Sequence, residues 1–163
     1  LEVLRGFNPN EPQTFTQAYP VGAGVTILSG QVVYALWNGT TLQYEWQLGW
    51  VAGAVPYFAL NDSTDEDVIE TGNLVALSCS GKFELQTAFF KTGDTFNADV
   101  PLTPDGVTGN VKATTVGGSA ASAPIVGFVT RNHGLKSLVG VNSNVTNTNV
   151  ISFATSWQPS NGA

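Results

Sequence analysis

The chain has no methionine, one cysteine, one histidine and only six basic residues among 163. Each shortage closes off a class of function. A single cysteine, Cys79, excludes an intrachain disulfide. Its position in an apolar run between Leu77 and Gly81 reads as a small buried hydrophobe rather than a reactive thiol. The lone His133 sits in the turn-like sequence RNHG and reads as a solvated loop residue, because a catalytic histidine needs a nucleophile and an orienting acid beside it. No metal-spaced Cys/His set, nucleophile elbow or Gly-rich phosphate loop is present. Neither an enzyme nor a cofactor or metal site is expected. Without a methionine even at position 1, Leu1 is expected not to be the translated start.

Charge is scarce and of one sign. The net charge is −6, and Arg5, Lys82, Lys91, Lys112, Arg131 and Lys136 form no cluster in sequence. A phosphate backbone or an anionic membrane calls for a basic footprint, so neither nucleic acid nor membrane is an expected partner. No apolar run approaches the roughly 20 residues of a spanning helix, and no charged-then-apolar signal segment opens the sequence. Charged residues make up 11% of the chain, less than half the roughly 25% of an ordinary soluble domain. The expectation is that other chains cover much of the surface.

What remains is β-branched, aromatic and small. Runs such as NLVALSCSGKFELQTAFFK, IVGFVTR and VISFATSW, punctuated by Gly, Pro, Asn and Asp, predict one all-β domain, a compact barrel or sandwich with at most a short helix. VTILSGQVVYALW reads as two strands broken at Gly30. Asn38-Gly39 is the strongest hairpin signal. After it Tyr44, Trp46, Leu48 and Trp50 alternate with Glu45, Gln47 and Gly49, which marks one apolar face. Ser63 and Glu66 have capping-box spacing, with Gly72 as a stop, for a short helical turn. Phe83, Leu85, Thr87 and Phe89 share a strand face with Glu84, Gln86 and Ala88 opposite. With Val126 or Ile125, Phe153 and Trp157, that first face is expected to line the interior, leaving Phe90 outward. Thr103-Pro104-Asp105-Gly106, residues 116–124 and residues 142–149 read as turns or loops.

Three constellations resemble sites. The acidic stretch Asp62, Asp65, Glu66, Asp67 and Glu70 offers hard oxygens but lacks the EF-hand order, and it reads as a solvated turn. Asp94, Asp99 and Asp105 each lie beside turn residues, where Asp bonds its own backbone, which outweighs a glycosidase pair. Trp37, Tyr44, Trp46 and Trp50 could stack on sugars, though alternating aromatics on a strand more often form core or interface. The glycosylation triplets at Asn38, Asn61 and Asn144 carry little weight in so Asn- and Thr-rich a chain.

Residues 1–24 differ in kind. Pro9, Pro12 and Pro20 interrupt both helix and central-strand pairing, yet the segment is rich in apolar and aromatic residues. It is expected to be an extended arm lying against another chain, with residues 25–163 as the β domain. Leu4, Phe7, Phe15 and Tyr19 of the arm, together with Phe90, are the expected partner-interface residues.

From Pro56 onward the stretch PYFALNDSTDEDVIETGNLVALSCSGKFELQTAFFKTGDTFNADVPLTPD, followed by GNVKATT, IVGFVTR and VISFATSW, resembles the head-decoration, or cement, proteins of tailed bacteriophages. The likeness is one of strand and turn residues. It implies a β-barrel without an active site on the outer surface of a virion capsid. Its partners would be the major capsid protein and itself, as a homo-oligomer with a trimer favoured. The competing expectation is a receptor- or carbohydrate-binding β-sandwich of a phage fibre or adhesin, with Trp37, Trp46 or Trp50 as exposed platforms.

Overall fold

The computed structural model describes residues 2–6, 16–80, 83–115, 124–130 and 150–158. Phe7, Phe15, His133, the loops at 116–123 and 142–149, and the side chains of Leu4 and Trp157 lie outside the described residues.

Among the described residues, eleven strands form two antiparallel sheets, with one short α-helix and a single 3-10 turn between strands. The first sheet has six strands: β1 (Glu2–Gly6), β7 (Phe83–Thr87), β11 (Ile151–Gln158), β10 (Ile125–Val129), β8 (Pro101–Pro104) and β9 (Val111–Ala113), in that spatial order. The second has five: β2 (Thr16–Tyr19), β6 (Leu74–Ser78), β5 (Tyr57–Ala59), β3 (Val32–Asn38) and β4 (Gln43–Leu48). The arrangement is an all-β sandwich. Its main core lies between the sheets and is built from residues such as Val32, Phe58, Leu77, Leu85, Leu102, Val126 and Phe153. Phe58 and Phe153 meet across the two layers with ring centroids 5.1 Å apart.

A second core lies on the other face of the five-stranded sheet. Val33, Trp46, Ala59, Leu74 and Ala76 point outward from that sheet and are covered by Ile27 and Val68. This explains two departures from the sequence reading. The run at 25–28 is not a strand; it is a lid whose Ile27 is fully buried against the sheet. The helix α1 (Glu66–Thr71) supplies Val68 to the same cover. Its N-cap position is Asp65, not Ser63, with no side-chain capping bond, and it ends as expected at Gly72, whose left-handed backbone returns its N–H to Val68 O. Ser63 instead accepts the Ile27 N–H at 3.0 Å, and Asp62 accepts the Ser29 N–H at 2.6 Å. The acidic stretch therefore fastens the lid, and among the described residues no group of three His, Cys, Asp or Glu is placed to hold a metal ion.

The segment read as an arm supplies an edge strand to each sheet of its own chain. Glu2–Gly6 pairs with β7, and Thr16–Tyr19 pairs with β6. For these stretches the expectation of a neighbouring chain is corrected. The open edges of β7 and β6 offer backbone partners that the same chain already reaches. The β1 ladder shifts register between Val3 and Arg5, so Leu4 is the bulged residue, and Arg5 stands opposite Glu84. Glu84 is wholly buried, although alternation placed it on an outward face.

The register of β7 holds only to its end. Leu85 and Thr87 face the core, and Phe83 packs against it. At Thr87 the strand stops: its hydroxyl donates to Gly30 O at 2.8 Å and accepts the Phe89 N–H at 3.1 Å. The turn inverts the next residues. Phe90, expected outward as an interface residue, is 8% exposed and packs edge-on against Phe96 at 5.3 Å, while Phe89 is only partly buried.

Candidate functional site

The β3–β4 hairpin is where the apolar surface of the described residues concentrates. The two strands pair from Val33 opposite Leu48 to Asn38 opposite Gln43. At its base the hairpin is held by backbone bonds: Gly49 N–H donates to Val32 O at 2.7 Å, and Trp50 N–H to Gly106 O at 2.8 Å. Gly49 has φ +84°, and a Cβ there would run into the backbone of Gly106 and Val107, so only glycine fits. Toward the tip burial falls away. Val32 and Val33 are fully buried, whereas Leu36 is 49% and Trp37 52% exposed. Leu36 and Trp37 point to opposite faces by strand alternation, so the tip stands clear of the sandwich on both sides.

The tip differs from a two-residue Asn-Gly turn. The loop is four residues long, Gly39 to Leu42, closed by Leu42 N–H donating to Asn38 O at 2.8 Å. Asn38 Oδ1 accepts the Thr40 and Thr41 N–H groups at 2.9 and 3.3 Å, which is how Asn holds a turn without positive φ of its own. The left-handed residue is instead Leu42, at φ 55° and 71% exposed. A branched apolar side chain in that conformation, held out to solvent, is costly in a free protein.

Glu45 braces this loop. Its Oε1 accepts from Asn38 Nδ2 at 3.0 Å and from Thr41 Oγ1 at 2.8 Å. Those hydrogen bonds, Asn38's first and Thr41's second, hold its carboxyl pKa below the ordinary glutamate value. A depressed folded-state pKa contributes stability that is complete above the unfolded value and is lost as pH falls through the folded value. Acidification through and below the ordinary glutamate range should therefore loosen the loop. Amide exchange at Thr40 and Thr41 should quicken in acid relative to the β6 amides, and Glu45→Gln should remove that pH dependence. Equal acid sensitivity in the Gln variant would show that another group is responsible.

On the outer face of the sheet, beside the hairpin, lies an open groove of about 390 Å³ lined by Tyr19, Ala35, Tyr44, Gly53, Ala54, Val55 and Tyr57. Tyr44 joins two further rings there. Its ring lies 5.7 Å from that of Tyr19 and 5.3 Å from that of Trp37, the latter edge-on. Tyr19, the one arm residue of the expected interface whose side chain is described, is half-buried here against Tyr44 and Trp46. Burial, ahead of the neighbouring Tyr19, raises the Tyr57 pKa. Cys79 is enclosed in the main core, and burial pushes its thiol well up, which leaves it inert.

Of the three tryptophans expected as possible platforms, Trp37 is the most exposed. Trp46 is wholly buried with its indole N–H on Leu74 O at 2.8 Å, and Trp50 donates to Ala54 O at 2.7 Å. The alternating face holds for Trp46 and Leu48 in the second core, whereas Trp50 packs against the main core and Tyr44 is exposed. The loop at 53–55 that walls the groove carried no sequence signal beyond its small residues. No family model matches this chain, and no curated protein or solved structure does either.

Proposed function

We propose that this chain is a capsid-decoration protein of a tailed bacteriophage, bound to the outer surface of the head as a homo-oligomer, with a trimer favoured. It would stabilise the shell by bridging major capsid subunits. The observation that carries the reading is the projecting hairpin tip, where Leu36 and Leu42 stand in solvent beside a left-handed backbone. Exposed apolar groups on a projecting element suit burial against a neighbouring subunit. The strand-and-turn resemblance to head-decoration proteins supports the same reading, as does the low charge of the chain. Specific interfaces bury about 1,200–2,000 Å², and repetition around a shell multiplies modest contacts into resistance to rupture.

The tip variant L36S/L42S tests this. Heads assembled without the protein should release DNA at a lower temperature than decorated heads, and added wild-type protein should restore the difference. The double variant should keep its melting temperature in isolation and yet fail to restore head stability. Full restoration by the variant would move attachment away from the hairpin, and no difference between bare and decorated heads would defeat the stabilising role.

A further inference from the structure

We propose that the groove lined by Tyr19, Tyr44 and Tyr57 is a binding site for a neutral saccharide, on the hairpin face opposite Leu36. No charged side chain lines it, so an ionic ligand would find no counter-charge. The lining is nevertheless not simply apolar. Three of its seven lining residues, Tyr19, Tyr44 and Tyr57, carry phenol hydroxyls. The Tyr19 hydroxyl has only a long contact to Gln17 Oε1, at 3.4 Å. Among the described residues the hydroxyls of Tyr44 and Tyr57 meet no hydrogen-bond partner.

An alkyl or purely aromatic ligand would cover these hydroxyls without satisfying them, at a cost in desolvation. A pyranose meets both halves of the lining. Its C–H face carries positive edge charge that suits the negative face of an aromatic ring, and its hydroxyls donate and accept as a phenol does. Tyr44 and Trp37 are about half exposed and set edge-on, giving two differently inclined rings to stack on. A groove of about 390 Å³ falls in the range of small-ligand sites and fits one or two sugar rings. Proline-rich peptides also use aromatic grooves, but they lie in long tracks at about 3.1 Å per residue. Here the lining is a short set of seven residues rather than a long track.

The test is a neutral-glycan array probed with the full-length chain, followed by titration of each hit by saturation-transfer NMR. A sialylated glycan and a PxxP peptide serve as comparators. The expected result is binding of at least one neutral glycan. Tyr44→Ala should abolish it, and Trp37→Ala should weaken it about three- to tenfold. Tyr44→Phe, which keeps the ring, should weaken it less than Tyr44→Ala does, and all three variants should melt close to wild type. L36S/L42S should bind the sugar normally, so this result stands apart from capsid attachment. No neutral glycan bound, equal binding of the charged glycan, preferential binding of the peptide, or indifference to Tyr44→Ala would each overturn the proposal.

Discussion

Trp46→Ala is expected to lower the free energy of unfolding by about 3–5 kcal/mol, the range for deleting a large buried aromatic. Trp46 is completely enclosed and holds three parts of the molecule at once. Its ring packs between Tyr19 and Tyr57, each with centroids 5.1 Å away, and its indole N–H donates to Leu74 O on β6. Its backbone N–H donates to Pro20 O at 2.8 Å and its carbonyl accepts the Gly22 N–H at 2.9 Å, tying the start of the lid to the free edge of β4. Trp46→Phe should cost less than the alanine variant, because it retains a ring while losing one buried hydrogen bond and some volume. Urea unfolding with an unchanged slope reads both losses. A change below about 1 kcal/mol for Trp46→Ala would mean that the outer face of the five-stranded sheet is not a genuine second core.

The second large effect separates two adjacent phenylalanines. Phe90→Ala should destabilise by about 3 kcal/mol or more, because the ring lies in the main core against Phe96. Phe89→Ala should cost clearly less, since that side chain is only partly buried. Backbone bonds flank the pair: Lys91 N–H donates to Val111 O at 2.8 Å, and Val111 N–H to Phe89 O at 3.0 Å. These tie Phe90 to the start of β9. Thermal melting of the two variants side by side decides the matter. The opposite order would mean that β7 continues unbroken through residue 89.

The contrast between these residues shows where periodicity could be read and where it could not. Alternation assigned Phe83, Leu85 and Thr87 to the interior correctly, because a strand buried on one face has no freedom of register. It failed two residues later because Thr87 bonds through its hydroxyl to Gly30, which is 57 positions away in the chain. No local pattern announces such a contact. The hairpin at Asn38 was legible, but its loop length was not, since Asn38 closes the turn through its side chain rather than by adopting positive φ. The apolar run at 25–28 reads as a strand because a lid that buries Ile27 and a buried strand draw on the same residue types. Alternation sets Glu84 on the face opposite Leu85, yet it is wholly buried on a strand flanked on both sides by β1 and β11. The candidate surface was half legible: aromatic alternation pointed to Trp37 and Tyr44, while the exposure of Leu42 and the wall at 53–55 needed the folded chain.

Attachment to the outside of a phage head is the claim on which the functional reading rests, and locating the chain in the virion tests it directly. Cryo-electron microscopy of the particle that carries it should show this sandwich fold at symmetry-related positions on the external face of the shell. The β3–β4 tip should lie against a major capsid subunit or a second copy of the chain. Density for the sandwich at a tail fibre or tail tip, or a head surface without it, would contradict the account.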